Sequence, residues 1–227
     1  LVSHNAFGNK EMKIKIFEGG YDKNLSYLIW CDSTKIASIV DASVRINDML
    51  VEVKNNNLKL NYIFITHSHH DHITYLNDFI QIYPNITIYI NNNSELNLPE
   101  IKQIKNNQKI QIGNSIITCL STPGHFYDSM CFWNQKSKIL FTGDTVFVGR
   151  TGRVVSHRSN IQDLYNSIYN IILKLPLDTI IYPGHNYGSK IYISIHENIA
   201  ISNFFKSKNF QEFIKTMKTF EKNRLKS

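Results

Sequence analysis

Thr66-His67-Ser68-His69-His70-Asp71-His72 places four histidines and one aspartate in seven residues, directly after the apolar segment Tyr62-Ile63-Phe64-Ile65. Histidines two apart on an extended chain, such as His67 and His69, point to the same side. Asp71 and His72 can face a second ion once the chain turns into a helix. This spacing allows four ligands to two neighbouring cations. Further along, Thr122-Pro123-Gly124-His125, Thr142-Gly143-Asp144-Thr145 and Tyr182-Pro183-Gly184-His185 each put one potential ligand where an apolar run stops. Imidazole suits zinc or iron, and a carboxylate between two cations offsets their repulsion. A buried cluster of unpaired imidazoles and carboxylates would be costly without metal.

Outward from that stretch, the chain reads as two strand-rich parts with helices between. Lys13–Phe17, Ser26–Trp30 and Ile36–Asp41 are short β-type runs, followed by a helical pattern from about Arg45 to Asn55 and the Tyr62 strand. Asp71 to Tyr83 reads as a single helix, with Ile73, Leu76, Phe79, Ile80 and Tyr83 at helical spacing and Pro84 just past its end. Ile86–Ile90 is a strand, and the polar stretch 91–107 reads as a surface excursion. Strands recur at Lys109–Ile112, Ser115–Leu120, Met130–Trp133 and Ile139–Thr142. Helix Ile161–Leu173, strand Thr179–Tyr182 and helices at Tyr187–Ala200 and Phe210–Arg224 complete the pattern. The fold class expected is α+β, a four-layer αβ/βα sandwich forming a single domain over 12–227, with 1–11 a disordered start outside it.

Composition narrows the function. The 227 residues carry a net charge of +7 from scattered lysines, with no block of like charge. That disfavours nucleic acid as a partner and suits a small anionic substrate. The three cysteines, Cys31, Cys119 and Cys131, show no C-x-x-C spacing and sit in or beside apolar runs, so they read as buried structural residues. No segment approaches the about 18 to 20 apolar residues needed to span a bilayer. No charged segment followed by an apolar stretch opens the chain, so a cytoplasmic location is expected, as a monomer or homodimer.

The motif and its downstream pieces resemble the metallo-β-lactamase superfamily, and within it the branch of glyoxalase II (hydroxyacylglutathione hydrolase) and persulfide dioxygenase. The resemblance runs from about Met12 to Asn198. It implies the sandwich fold and two zinc ions: His67, His69 and His125 on the first, Asp71, His72 and His185 on the second, and Asp144 bridging both. A water between such ions ionises near neutral pH, since zinc alone can lower its pKa to about 7. The bridging hydroxide would attack a thioester such as an acyl-glutathione, with Asp71 and Asp144 as the catalytic carboxylates. Zinc β-lactamases of the superfamily carry Cys or Ser where this chain has Asp144, which disfavours β-lactam or lactone hydrolysis.

The stretch Phe147-Val148-Gly149-Arg150-Thr151-Gly152-Arg153 resembles the segment that places a basic residue against glutathione in glyoxalase II. Arg153 matches that basic position and Tyr187 a glutathione-contacting tyrosine, so Arg150, Arg153 and Tyr187 are the substrate-binding candidates. Two departures stand beside them: Val155 replaces a tyrosine, and the chain ends about 40 residues after His185. The Asp71-His72-Ile73-Thr74 and Phe210-Gln211-Glu212-Phe213 stretches look more like persulfide dioxygenases. Those would hold one ferrous ion through His67, His125 and Asp144, making iron the alternative cofactor. His70 occupies a spacer position of the motif. His4, His157 and His196 have no motif support and read as surface or packing residues.

Overall fold

Strand β2 (Asn24–Cys31) is buried along its whole length, and its two faces serve different cores. Leu25, Tyr27 and Ile29 enter one apolar cluster, Leu28 and Trp30 another. That alternation belongs to a strand covered on both sides. It recurs in β10 (Ile139–Gly143), where Ile139 and Phe141 face the cluster shared with β2 and Leu140 faces a third. Three stacked cores need four layers, helices, sheet, sheet, helices. The computed structural model describes residues 12–224; Leu1 to Glu11, with His4 and the expected separate start, lie outside the described residues.

The first sheet runs in strict chain order: β1 (Met12–Gly19), β2, β3 (Ile36–Val40), β4 (Lys59–Phe64), β5 (Thr87–Asn91) and β6 (Ile101–Ile104). The second runs in the same way from β7 (Lys109–Ile112) through β8 (Ser115–Ser121), β9 (Met130–Asn134), β10 and β11 (Ile180–Pro183) to β12 (Ile193–Ser194). Helices α1 (Ile46–Asn55) and α3 (Leu76–Ile82) cover the outside of the first sheet through Ile46, Met49, Leu76 and Phe79. Helices α4 (Ile161–Asn166), α5 (Ile195–Ile201) and α6 (Phe210–Arg224) cover the second through Leu164, Ile195, Phe213 and Met217. Each such large apolar side chain contributes about 1.5–3 kcal/mol on burial, against about 0–1 kcal/mol for an exposed ion pair. The three cores therefore hold the layers together.

Strands β3 to β6 pair in parallel, as do β10 and β11. Their carboxyl ends deliver Asp41, His67, Asp144 and His185 to one rim of the sandwich, where ligands collect in open sheets of this type.

Four local expectations are corrected. The helix expected over Asp71–Tyr83 is two, a single turn α2 (His70–Ile73) followed by α3, because the Tyr75 amide leaves the helix to donate to Ala42 O at 3.0 Å. The excursion 91–107 contains β6, whose Lys and Gln carry no strand signal but whose backbone pairs with β5 and whose Ile104 is buried between the sheets. The helix expected over Ile161–Leu173 widens to a π-type turn at Ser167–Ile171, where Ser167 Oγ is drawn to Pro123 O at 2.7 Å, then tightens to 3₁₀ at Ile172–Lys174. The helix expected over Tyr187–Ala200 begins only at Ile195. There Ser194 and Glu197 form a reciprocal capping box after the short strand β12. All three cysteines are free and buried, and burial pushes Cys119 and Cys131 up to about 12.

Candidate metal centre

The bend between β4 and α2 folds the His67–His72 stretch back on itself, so that side chains from an extended segment and a helical turn share one space. Two groups of candidate ligands result, each with its donor atoms within 4.8 Å of one another, His67, His69 and His125, and Asp71, His72 and His185; His67, His72 and Asp144 meet the same limit and join the two. Asp144 stands between them, with Oδ2 3.5 Å from His125 Nε2 and 3.4 Å from His185 Nε2, and Oδ1 3.2 Å from His72 Nε2. Within the first group His69 Nδ1 lies 2.9 Å from His67 Nε2 and 3.1 Å from His125 Nε2. In the second, His185 Nε2 is 3.3 Å from both Asp71 Oδ2 and His72 Nε2.

The outer hydrogen bonds settle which ring nitrogens face inward. Main-chain carbonyls only accept, so His125 Nδ1 donates to Arg153 O at 2.9 Å and His185 Nδ1 donates to Asp22 O at 2.8 Å. His72 Nδ1 donates to Asp41 Oδ2 at 2.8 Å. Thr66 Oγ1 already donates to that same oxygen at 2.8 Å, so it accepts from His67 Nδ1 at 3.1 Å. Each of these four imidazoles therefore presents Nε2 to the shared space, in the arrangement that orients metal ligands. Asp144 Oδ1 is buried without a hydrogen-bond partner, although His72 Nε2 lies 3.2 Å away. Converging imidazole nitrogens around an orphaned carboxylate oxygen fit divalent metal ions. They have no equally good neutral solution.

The two groups differ in charge. Burial drives His67 well below the ordinary histidine value and His69 down to about 4. In the second group burial acts the same way but carboxylates prevail. Asp144 and Asp41 hold His72 well above that value, and Asp144 with Asp71 raises His185 to about 10. Asp71 and Asp144 stay well below the usual carboxylate range, since the neighbouring histidines outweigh desolvation.

Backbone contact seals the cluster. A Cβ on Gly184 would fall 2.4 Å from Asp144 Oδ1 and 2.7 Å from His72 Cε1, which leaves room for no other residue. His70, His157 and His196 are exposed, as their positions suggested.

Sequence reasoning missed Asp41. It is buried in a left-handed conformation, φ 59°, which costs strain for a non-glycine residue. Its Oδ1 accepts from the Thr66 amide at 2.7 Å while its Oδ2 takes Thr66 Oγ1 and His72 Nδ1. One carboxylate thus steadies a histidine in each group. Its signal was present: Asp41 ends the apolar run Ile36–Val40, as the candidate ligands end theirs. Asn24 was missed as well, and its Nδ2 donates to Asp71 Oδ2 at 2.8 Å.

The substrate-side candidates separate. The Arg150 guanidinium lies 3.9 Å above the Tyr187 ring, which stacks at 3° and 4.7 Å on His185. Tyr187 donates its hydroxyl to Asp22. Among the described residues no carboxylate comes within ion-pair distance of Arg150, whose Nε is buried and unpartnered. Arg153 turns away. Its Nε and a terminal nitrogen donate to the two oxygens of Glu221 at 2.8 and 3.1 Å, so its side chain is engaged by α6.

A fold of this topology with these residues on its rim defines one class, and the sequence profile of the Metallo-beta-lactamase superfamily matches residues 19–185. The chain belongs to that superfamily. Among curated proteins it is similar to the hydroxyacylglutathione hydrolase of Francisella tularensis subsp. novicida, 34% identical over 166 residues, covering 73% of this chain and 64% of that protein. It is similar also to that of Dictyostelium discoideum, 31% identical over 196 residues, 80% and 71% of the two chains. The chain thus spans under two thirds of the length of the Francisella relative. Among solved structures, ETHE1 from Myxococcus xanthus superposes with a TM-score of 0.81 at 28% identity, covering 92% of this chain and 91% of that one. No helix among the described residues is long and apolar enough to cross a membrane.

Proposed function

We propose that this protein is a dinuclear metal-dependent hydrolase of thioesters such as acyl-glutathione. The supporting observation is the cluster itself, four histidines with outward nitrogens tied off and inner nitrogens gathered about the Asp144 carboxylate, one oxygen of which is orphaned. His67, His69 and His125 would hold one ion and Asp71, His72 and His185 the other, with Asp144 between. Two such ions supply an ionised water at neutral pH and positive charge for a developing oxyanion. Zinc is the metal proposed, by analogy with the hydrolase relatives.

The protein's own groups then have definite tasks. Asp144 and Asp71 remain ionised, and would offset the charge of the cations and accept hydrogen bonds from the attacking water. Asn24 fixes the Asp71 carboxylate that performs this. A thiolate leaves without a proton, so no general acid is needed. Arg150, braced on Tyr187, would hold the anionic end of a glutathione conjugate outside the cluster. A cytoplasmic location matches such a substrate.

A second reading, a mononuclear iron persulfide dioxygenase, is favoured by the nearly complete mutual coverage with ETHE1. One experiment separates the two. Protein purified without added metal is analysed for zinc and iron, then given an acyl-glutathione and, separately, glutathione persulfide in an oxygen electrode. Two zinc-type ions and thiol release without oxygen uptake support the hydrolase. One iron with oxygen consumed on a persulfide refutes it.

A further inference from the structure

We infer that Arg153 is a positioning residue, held by Glu221 of α6 so that its main-chain carbonyl fixes the ring of His125. The inference rests on the metal-centre reading above. Arg153 makes two connections in opposite directions. Its side chain forms a two-pronged pair with Glu221, and its carbonyl oxygen accepts from His125 Nδ1. Residues 152–155 belong to no helix or strand, so no ladder of backbone bonds orients that carbonyl. The side-chain anchor supplies what regular structure does not.

The anchor is firm because α6 is. Phe213 and Met217 sit in the core beneath the second sheet, with Glu221 one turn beyond Met217 on the same face. Thr151 Oγ1 also reaches Met217 Sδ at 3.3 Å, and Phe220 lies 5.6 Å below the Arg150 guanidinium. Arg150, Thr151 and Arg153 are thus each laid against α6. Packing leaves the segment little slack: a Cβ on Gly152 would meet Asp144 O at 1.9 Å and His125 Cβ at 2.9 Å. A bidentate pair adds direction to this packing, since a planar guanidinium held at two nitrogens cannot rotate freely. Helix α6 acts in this way on the orientation of a candidate ligand without touching it, and the cationic group left to meet substrate is Arg150.

The test reads the imidazole directly. In ¹⁵N-labelled, metal-free protein, His125 Nδ1–H should give a protected imidazole signal, which Glu221→Gln weakens or abolishes. The His185 signal, whose proton goes to Asp22 O, should not move. In zinc-loaded protein the same substitution should speed loss of one of the two ions to a chelator by about tenfold, at the low end for partners outside the ligand shell. The exchanged pair, Arg153→Glu with Glu221→Arg, should recover most of that loss. An unchanged His125 signal with unchanged zinc retention overturns the inference, as does a rise in KM alone, which would return Arg153 to the substrate. Failure of the wild-type protein to take up zinc would sink the proposed function, while the imidazole signal would still decide the role of Arg153.

Discussion

The two ligand groups sit side by side yet solve opposite electrostatic problems. His67, His69 and His125 form an all-imidazole set in which burial keeps His67 and His69 neutral. Asp71, His72 and His185 form a set in which carboxylates keep the histidines protonated when no cation is near. On the proposed reading, His67 and His69 would take up a metal without losing a proton. The second set must exchange protons for it. A sequence pattern that looks uniform, histidine after histidine, therefore produces two sites of different character. The difference comes from the carboxylates around the second set: Asp41 behind His72, and Asp71 and Asp144 beside the inward nitrogens of His72 and His185.

Asp144 belongs to both sets, so its loss should have the largest effect and erase the comparison. Asp144→Ala should lower turnover by about three orders of magnitude, on the scale of losing a principal electrostatic stabiliser, and reduce metal content at both sites. His70→Ala, at an exposed spacer, should leave metal content nearly unchanged. Elemental analysis and kcat on both variants check this, and equal metal loss would mean the motif's register is misread.

The comparison sharpens with pH. Below a histidine's pKa each bound proton must leave before metal enters, so apparent affinity rises tenfold per pH unit per proton. His185, raised to about 10, alone predicts a rise of about a hundredfold for the second ion between pH 6 and 8, and His72, also raised, steepens it further. His69, near 4, imposes no such slope over that range. Calorimetric zinc titrations in buffers of different ionisation enthalpy should detect proton release with one ion and little with the other. Two ions with the same slope would dissolve the distinction.

Asp41→Asn gives a graded version. It keeps the shape but weakens the acceptor for His72 Nδ1, and should lower affinity for the second ion about 10–100-fold. The first ion, reached only through Thr66, should lose less. Competition with a chelator for each ion measures the split.

The smallest effect concerns a group outside both sets. Arg150→Ala should raise KM about tenfold with little change in kcat, since remote binding is felt equally in ground and transition states. Added salt should mimic it in part, within a Debye length of about 8 Å at physiological ionic strength. A fall in kcat with KM unchanged would place Arg150 among the reacting groups.

The layers were legible in the chain because strands buried on both faces still alternate between cores, and β2, β9 and β10 carried that signal as unbroken apolar runs. The clustered candidates were legible because each ends such a run. What escaped notice depended on tertiary partners. The break between α2 and α3 needs the Ala42 carbonyl, 33 residues before Tyr75 in the chain. β6 has only its pairing with β5 to make it a strand. Glu221 reads as one charge on a helix until Arg153 is seen opposite it. Asp41 and the Ser194–Glu197 box could have been found, since both follow local rules of strand ends and helix caps.

The strict chain order of the two sheets carries one more consequence. No strand crosses from one sheet to the other, so a nick in the turn at 105–108 would leave two fragments that each keep an intact sheet. Yet His67, His69, Asp71 and His72 would travel with one piece, and His125, Asp144 and His185 with the other. Neither fragment alone could assemble either ligand set. Metal ions would clasp the pieces together, and their release by a chelator would loosen a non-covalent complex that an uncut chain holds by its peptide link.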